Sequence, residues 1–271
     1  MKTSNHLLRR LTAALLAAVL ALSIALPVFA SDDGDTIYIN SVSDLLSLAR
    51  SCAYDQWSVG KTVILQKDLS LEGMLWEPIP SFSGQFKGNG HTISDLTITG
   101  QYSPAGLFGI VEEQGSIESL SVRGVVSVSD SADTTTGGIV GINHGTLISC
   151  QFTGVVTGDS EVGGIVGRNE SEGTIDHSTA RAIVTGKSST GGIAGYNLGA
   201  ITGCTNVGSI NTEYPEASLD TDGFTAKMVD YINNKMAAAA DDATNSVTNV
   251  ATDTGGIAGR SSGMILTSVN T

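Results

Sequence analysis

Between Thr136 and Asn211 one short phrase is said three times. Gly137-Gly138-Ile139-Val140-Gly141-Ile142-Asn143 returns as Gly163-Gly164-Ile165-Val166-Gly167-Arg168-Asn169, then as Gly191-Gly192-Ile193-Ala194-Gly195-Tyr196-Asn197. Degenerate copies stand before it, at Gly106-Leu107-Phe108-Gly109, and after it, at Gly255-Gly256-Ile257-Ala258-Gly259. Counted at equivalent glycines the copies start at 106, 138, 164, 192 and 256, so the spacings are 32, 26, 28 and 64. Spacings of roughly 20 to 50 residues mark a solenoid, in which one repeat cannot bury its own apolar side and must stack on the next.

Each copy holds three apolar stretches, in the best one Gly138 to Gly141, Thr146 to Cys150 and Gly154 to Gly158, all too short for a helix. Glycines bounding runs of Ile, Val and Thr read as strand punctuation, supplying the positive φ of tight corners. Three strands and three corners per copy predict an all-β chain, a right-handed parallel β-helix with coils about 4.8 Å apart. Its repeat residues are Gly138, Gly141 and Asn143, Gly164, Gly167 and Asn169, and Gly192, Gly195 and Asn197. The three asparagines follow the first strand, where an amide can bond corner backbone and its own copies above and below. Val126, Val156, Val184 and Ile210 should form an inward β-branched column. Ile117, Leu147, Ile175, Ile201 and Ile265 recur as well, and three places later Leu120, Cys150, Ser178, Cys204 and Ser268. Positions three apart do not share a face of a flat strand, so either a bend falls between them or one column points outward.

The chain is expected to divide into five parts. Residues 1–30 carry Lys2, Arg9 and Arg10, an apolar run from Leu11 to Leu26, and Val28-Phe29-Ala30, the pattern of a secretory signal cleaved after Ala30. Residues 31–60 hold a strand from Thr36 to Asn40 and, after the capping box Ser41-Val42-Ser43-Asp44, an amphipathic helix through Leu45, Leu46, Leu48 and Ala49 that closes the solenoid end. Residues 61–212 form the β-helix. Residues 213–252 interrupt it with an excess of about 36 residues, in which Phe224, Met228, Ile232 and Met236 lie four apart on one helix face. That face either docks on the β-helix or offers an adaptable partner contact. Residues 253–271 resume an incomplete final repeat, which suggests truncation of a longer product.

Phe82-x-Gly84-x-Phe86-x-Gly88-Asn89-Gly90-His91-Thr92-Ile93, followed by Leu96-x-Ile98, places a corner at Gly88-Asn89-Gly90. Together with the Gly-Gly-Ile-Val-Gly-x-Asn copies, this phrase resembles the secreted bacterial GLUG-repeat proteins over residues 36–212 and 254–271. The resemblance implies a cell-surface β-helix, of the kind described as adhesins or as repeat portions of large surface enzymes such as immunoglobulin A-cleaving metallopeptidases. Two positions depart from the pattern: Lys87 stands where an acidic residue is expected, and Val111 where the three full copies have Asn.

Chemistry is sparse. The signal carries three of the 14 basic residues and none of the 27 acidic ones, leaving 11 against 27, a balance of −16. Such a surface argues against nucleic acid, anionic lipid and acidic polysaccharide as partners. Nothing after the signal is apolar for long enough to span a bilayer. Cys150 and Cys204 should lie two coils apart, about 9.6 Å and beyond disulfide reach, so both are expected free. Cys52 is assigned to the capping helix. His91 reads as a corner hydrogen-bonding residue, and His144 and His177 fall near corners. Asp176-His177-Ser178 has the residue types of a triad, but neighbours on a strand alternate faces. No His-Glu-x-x-His occurs. Arg123, Arg168, Arg181 and Lys187 occupy dissimilar repeat positions, unlike a lyase cleft. The pairs Asp130 with Asp133, Asp159 with Glu161, and Glu170 with Glu172 could bind Ca²⁺ weakly but lack a dedicated loop. The expectation is therefore a secreted or cell-surface, non-enzymatic protein with no catalytic, cofactor or metal residue, an adhesin-like platform or rigid stalk. Its partner would be a host or bacterial surface glycan or protein. The alternative is the N-terminal β-helix module of a larger surface hydrolase.

Overall fold

The computed structural model describes residues 35–54, 56–128, 134–211 and 252–271. The signal segment and the Phe224, Met228, Ile232 and Met236 face lie outside the described residues, as do Asp130 and Asp133.

Every sheet is parallel and every strand pairs with its counterpart one coil away, the wiring of a parallel β-helix of about six turns. A complete coil reads Thr136–Gly137, Val140–Asn143, Thr146–Ile148 and Gln151–Thr157. There are thus four strands per coil where three were expected. The Gly-Gly-Ile-Val-Gly phrase is not one strand: it breaks at Gly138-Ile139, with the buried Ile139, Ile165 and Ile193 at the break.

The phrase glycines are required by close approach and not by positive φ. A Cβ on Gly138 would meet the Phe152 ring at 2.4 Å and the Gly164 carbonyl at 2.5 Å, and one on Gly192 would meet Gly256 O at 2.3 Å. The sharp corners fall elsewhere, at Ser119, Ser149, His177, Gly203 and Thr267, which have φ of 50°, 52°, 46°, 61° and 46°. These five residues are one column, and they settle the question of positions three apart. The chain turns between Leu147 and Cys150, so Ile117, Leu147, Ile175 and Ile201 and also Leu120, Cys150, Ser178 and Cys204 all point inward and are buried.

The inward columns are continuous. Val63, Phe86, Ile117, Leu147, Ile175, Ile201 and Ile265 align strand to strand. Val126, Val156 and Val184 are fully buried, while Ile210 is half-buried. Burying a Leu, Ile or Val side chain contributes about 1.5–3 kcal/mol, so these columns are the main source of cohesion.

At the N-terminal end, strand Thr36–Ile39 pairs with Thr62–Leu65, so the stack begins one strand earlier than expected. Helix α1, Val42–Ser51, starts at Ser41, whose Oγ accepts the Asp44 N–H at 3.2 Å. The Asp44 carboxylate in turn accepts the Asn40 N–H at 2.9 Å. Leu45 and Leu48 are buried, the helix lies against strands Thr36–Ile39 and Ile79–Phe82, and Cys52 is its buried C-cap.

Candidate binding groove

The asparagine ladder forms as expected. Asn143 Nδ2 donates to Asn169 Oδ1 at 2.8 Å, and Asn169 Nδ2 to Asn197 Oδ1 at 2.8 Å. Asn197 Nδ2 donates to Ser261 Oγ at 3.1 Å. Each amide also holds its own corner, through Gly145 O, Gly173 O and Gly199 O. The ladder stops at Asn143, because the next residue in register is Val111, then Phe82. Asn143 Oδ1 is consequently a buried acceptor with no partner. A second stack, Asn206 Nδ2 to Asn270 Oδ1 at 2.7 Å, occupies the column of Phe152 and Ala180. Its irregular history in that column concealed it from the sequence.

His91 takes the structural place foreseen for it, its Nδ1 3.1 Å from Asp68 Oδ1. The Thr92 N–H donates to the same oxygen, and these two contacts, the backbone one foremost, hold the Asp68 carboxyl below its usual range. Asp176 Oδ1 lies 2.8 Å from His177 Nδ1, so the neighbours do meet. The left-handed backbone at His177 breaks the strand alternation that would have parted them. Ser178 does not join them. It is buried, accepts the Cys150 N–H and donates to Asp176 O. Cys52, Cys150 and Cys204 are free and buried, and burial pushes their thiols up to about 12, about 12 and about 11.

The arginines are more ordered than expected. Arg123 and Arg181 align through Thr153, at one repeat position two coils apart. Arg168 bridges Glu161 at 2.8 Å and Glu170 at 2.7 Å. Across the coils its guanidinium lies 5.0 Å from the Tyr196 ring centre, whose other neighbour, Arg260, lies at 5.5 Å. Asp159 is paired with Lys187. Asp159, Glu161 and Glu170 are thus tied to cations of the same protein, and among the described residues no three His, Cys, Asp or Glu side chains converge as metal ligands.

One concavity is built by the corners. A single residue separates the ladder position from the following glycine at Ser83, His144, Leu198 and Ser262, whereas Glu112-Glu113-Gln114 and Glu170-Ser171-Glu172 insert three. Both long corners close as turns, Gly115 N–H to Glu112 O at 2.8 Å and Gly173 N–H to Glu170 O at 2.9 Å. Beside the short corner at Ser83 stands the loop around Ser58, whose Oγ accepts the Ser83 N–H at 2.9 Å. A short corner between two projections leaves a groove of about 460 Å³, with Gln56 and Val59 on one wall, Glu112, Glu113 and Gln114 on the other, and Ser81, Ser83 and His144 completing it. Ser81 Oγ donates to Glu112 Oε1 at 2.7 Å and so orients that carboxylate. None of this was foreseen except the placement of His144 near a corner. The readable signal was the spacing of three residues between Val111 and Gly115.

Comparison with known proteins agrees with this architecture. Residues 158–185, one coil of the solenoid, match the family model described as the GLUG motif. That coil carries a GLUG motif. It is 31% identical over 155 residues to halomucin of Haloquadratum walsbyi, covering 52% of this chain and 2% of that one. It is 29% identical over 137 residues to a protein of Evansella cellulosilytica named as a Gly-rich membrane protein, covering 36% of this chain and 16% of the relative. The chain therefore spans a small part of both relatives. Among solved structures, a protein of Bacteroides ovatus assigned as an immunoglobulin A1 protease superposes with a TM-score of 0.51 at 20% identity, over 65% of this chain and 60% of its own. That likeness is one of fold.

Proposed function

We propose that this protein is a non-enzymatic GLUG-repeat platform displayed outside the cell, which presents its outer surface to a glycan or protein of another surface. The observation that carries the reading is the use made of its polar chemistry. Asparagines stack inside, His91 and Arg168 tie coils or corners together, and Ser178 is buried. A solenoid whose functional groups go into cohesion offers long rigid faces for recognition. The names of the two relatives, a mucin-like one and a membrane one, support a place at the cell surface. Among the described residues no helix is long and apolar enough to cross a membrane. Export through cleavage after Ala30 and a partner contact through the 213–252 segment belong to the same proposal.

Binding of the protein to glycan arrays and to extracellular-matrix proteins tests it, alongside a deletion of 213–251 that spares the repeat strand beginning at Thr252. Binding lost with the deletion makes that segment the contact. Binding that survives puts the contact on the solenoid, and no binding by either form overturns the platform reading. A second reading, a β-helix module serving a surface hydrolase, draws support from the fold shared with the Bacteroides ovatus protein. A hydrolytic domain encoded in the same reading frame would favour it.

A further inference from the structure

We infer that the groove between the Ser58 loop and the Glu112–Gln114 corner is a saccharide site that takes an uncharged glycan segment. The inference rests on the platform reading and names the ligand class and the place. A volume of about 460 Å³ falls within the usual range of small-ligand sites, which is roughly 300–1,000 Å³. The lining matches a polyhydroxyl compound. Each sugar hydroxyl donates one hydrogen bond and accepts others, so it is met best by a mixture of pure acceptors and two-way groups. Glu112 and Glu113 accept, as does the Ser81 hydroxyl once its proton is given to Glu112, whereas the Gln56 and Gln114 amides and the Ser83 hydroxyl do both. Val59, 43% exposed at the rim, supplies an apolar contact for the C–H face of a sugar ring.

Charge selects within that class. No Lys or Arg lines the groove, while two carboxylates do, in a chain of net charge −13. A uronic, sialic or sulfated sugar would be repelled at the site and steered away from a distance. The walls are set before any ligand arrives: the loop is pinned at Ser83, the corner is closed at Gly115, and Glu112 is turned by Ser81. Such preorganisation lowers the ordering cost of binding.

The test is a glycan array of neutral and acidic oligosaccharides, read with the wild-type protein and with Glu113→Ala/Gln114→Ala, then calorimetry on the strongest neutral hit. Thermal unfolding of the variant is compared with wild type, and Ser83→Trp, which fills the groove without removing a Glu or Gln, is the second probe. Neutral glycans should bind the wild type, and both variants should weaken binding by about tenfold or more, as loss of one or two sugar hydrogen bonds requires. Glycan binding that both variants retain, or a preference for acidic glycans, overturns the groove assignment and leaves the platform reading standing. Binding to matrix protein but to no glycan does the same. Absence of binding to glycan and protein alike sinks the platform reading, and this inference with it.

Discussion

The coils before residue 128 and those after residue 134 fill one architecture in two ways. In the first, aromatic rings carry the core. Phe108 lies with its ring centre 5.4 Å from both Phe82 and Phe86, and the buried Trp76 donates its indole N–H to Leu107 O at 3.1 Å. In the second, Phe152 is the one aromatic side chain of the described core, and the Gly-Gly bends let backbone approach backbone while Asn143, Asn169 and Asn197 knit the interior. Val111 sits on the boundary, apolar toward Phe82 and unable to answer Asn143. Large side chains hold coils together through contact area and tolerate some irregularity of register. Glycine and asparagine demand that each coil repeat the last.

The most severe break in this contrast is expected at Gly164→Val. Its Cβ would meet Gly192 O at 2.2 Å, and backbone cannot give way there, so a loss of about 3 kcal/mol or more is expected from the denaturation midpoint. Gly73→Ala, at φ +76° with open space around it, should cost only about 1 kcal/mol. In the aromatic half, Phe108→Ala opens a cavity among three rings and should cost about 3–5 kcal/mol on the same measurement. Comparable losses from Gly73→Ala and Gly164→Val would refute the close-approach account of the phrase glycines.

Asn169→Ala removes the middle of the ladder and strands Asn197 Oδ1, for an expected loss of about 2 kcal/mol. Val111→Asn sharpens the same point. It would answer Asn143 Oδ1 but turn its own acceptor toward Phe82, so the orphan moves and stability should change by less than about 1 kcal/mol. A large gain there would mean that the ladder stops for some reason other than its apolar neighbour.

The last effect separates by pH. The folded thiols of Cys52, Cys150 and Cys204 lie above the ordinary value of 9.0 because burial disfavours the thiolate. The folded protein therefore holds these protons more tightly than the unfolded one. That contribution is full below pH 9.0 and is lost as pH rises toward the folded values of about 11 to 12. Denaturation midpoints should fall between pH 9.0 and 11 in wild type, and less so in Cys150→Ser/Cys204→Ser. Native thiols should also resist alkylation at neutral pH.

Much of the fold was legible because a solenoid writes its geometry as a period. The Asn143, Asn169 and Asn197 ladder, the inward Val126, Val156 and Val184 column and the helix behind Ser41 all follow from residue spacing alone. Where spacing was ambiguous, reading failed. Ser119, Ser149 and His177 take the left-handed corner without the glycine that announces one, and the four-strand coil was hidden inside a phrase that looks like one strand. Arg123 and Arg181 appeared unrelated until strand register aligned them across Thr153.

By itself, then, the sequence determined the repeat, the columns and the stack, since each coil needs a like neighbour to bury its apolar side and satisfy its backbone. Only the tertiary structure decided where the corners bend, which cations answer the acidic loops, and that a loop near residue 58 stands opposite a long corner near residue 113. Those residues are far apart in the chain and belong to no period. Their meeting depends on how many residues each corner inserts and on which coil lies beside which, and that is settled when the coils are stacked.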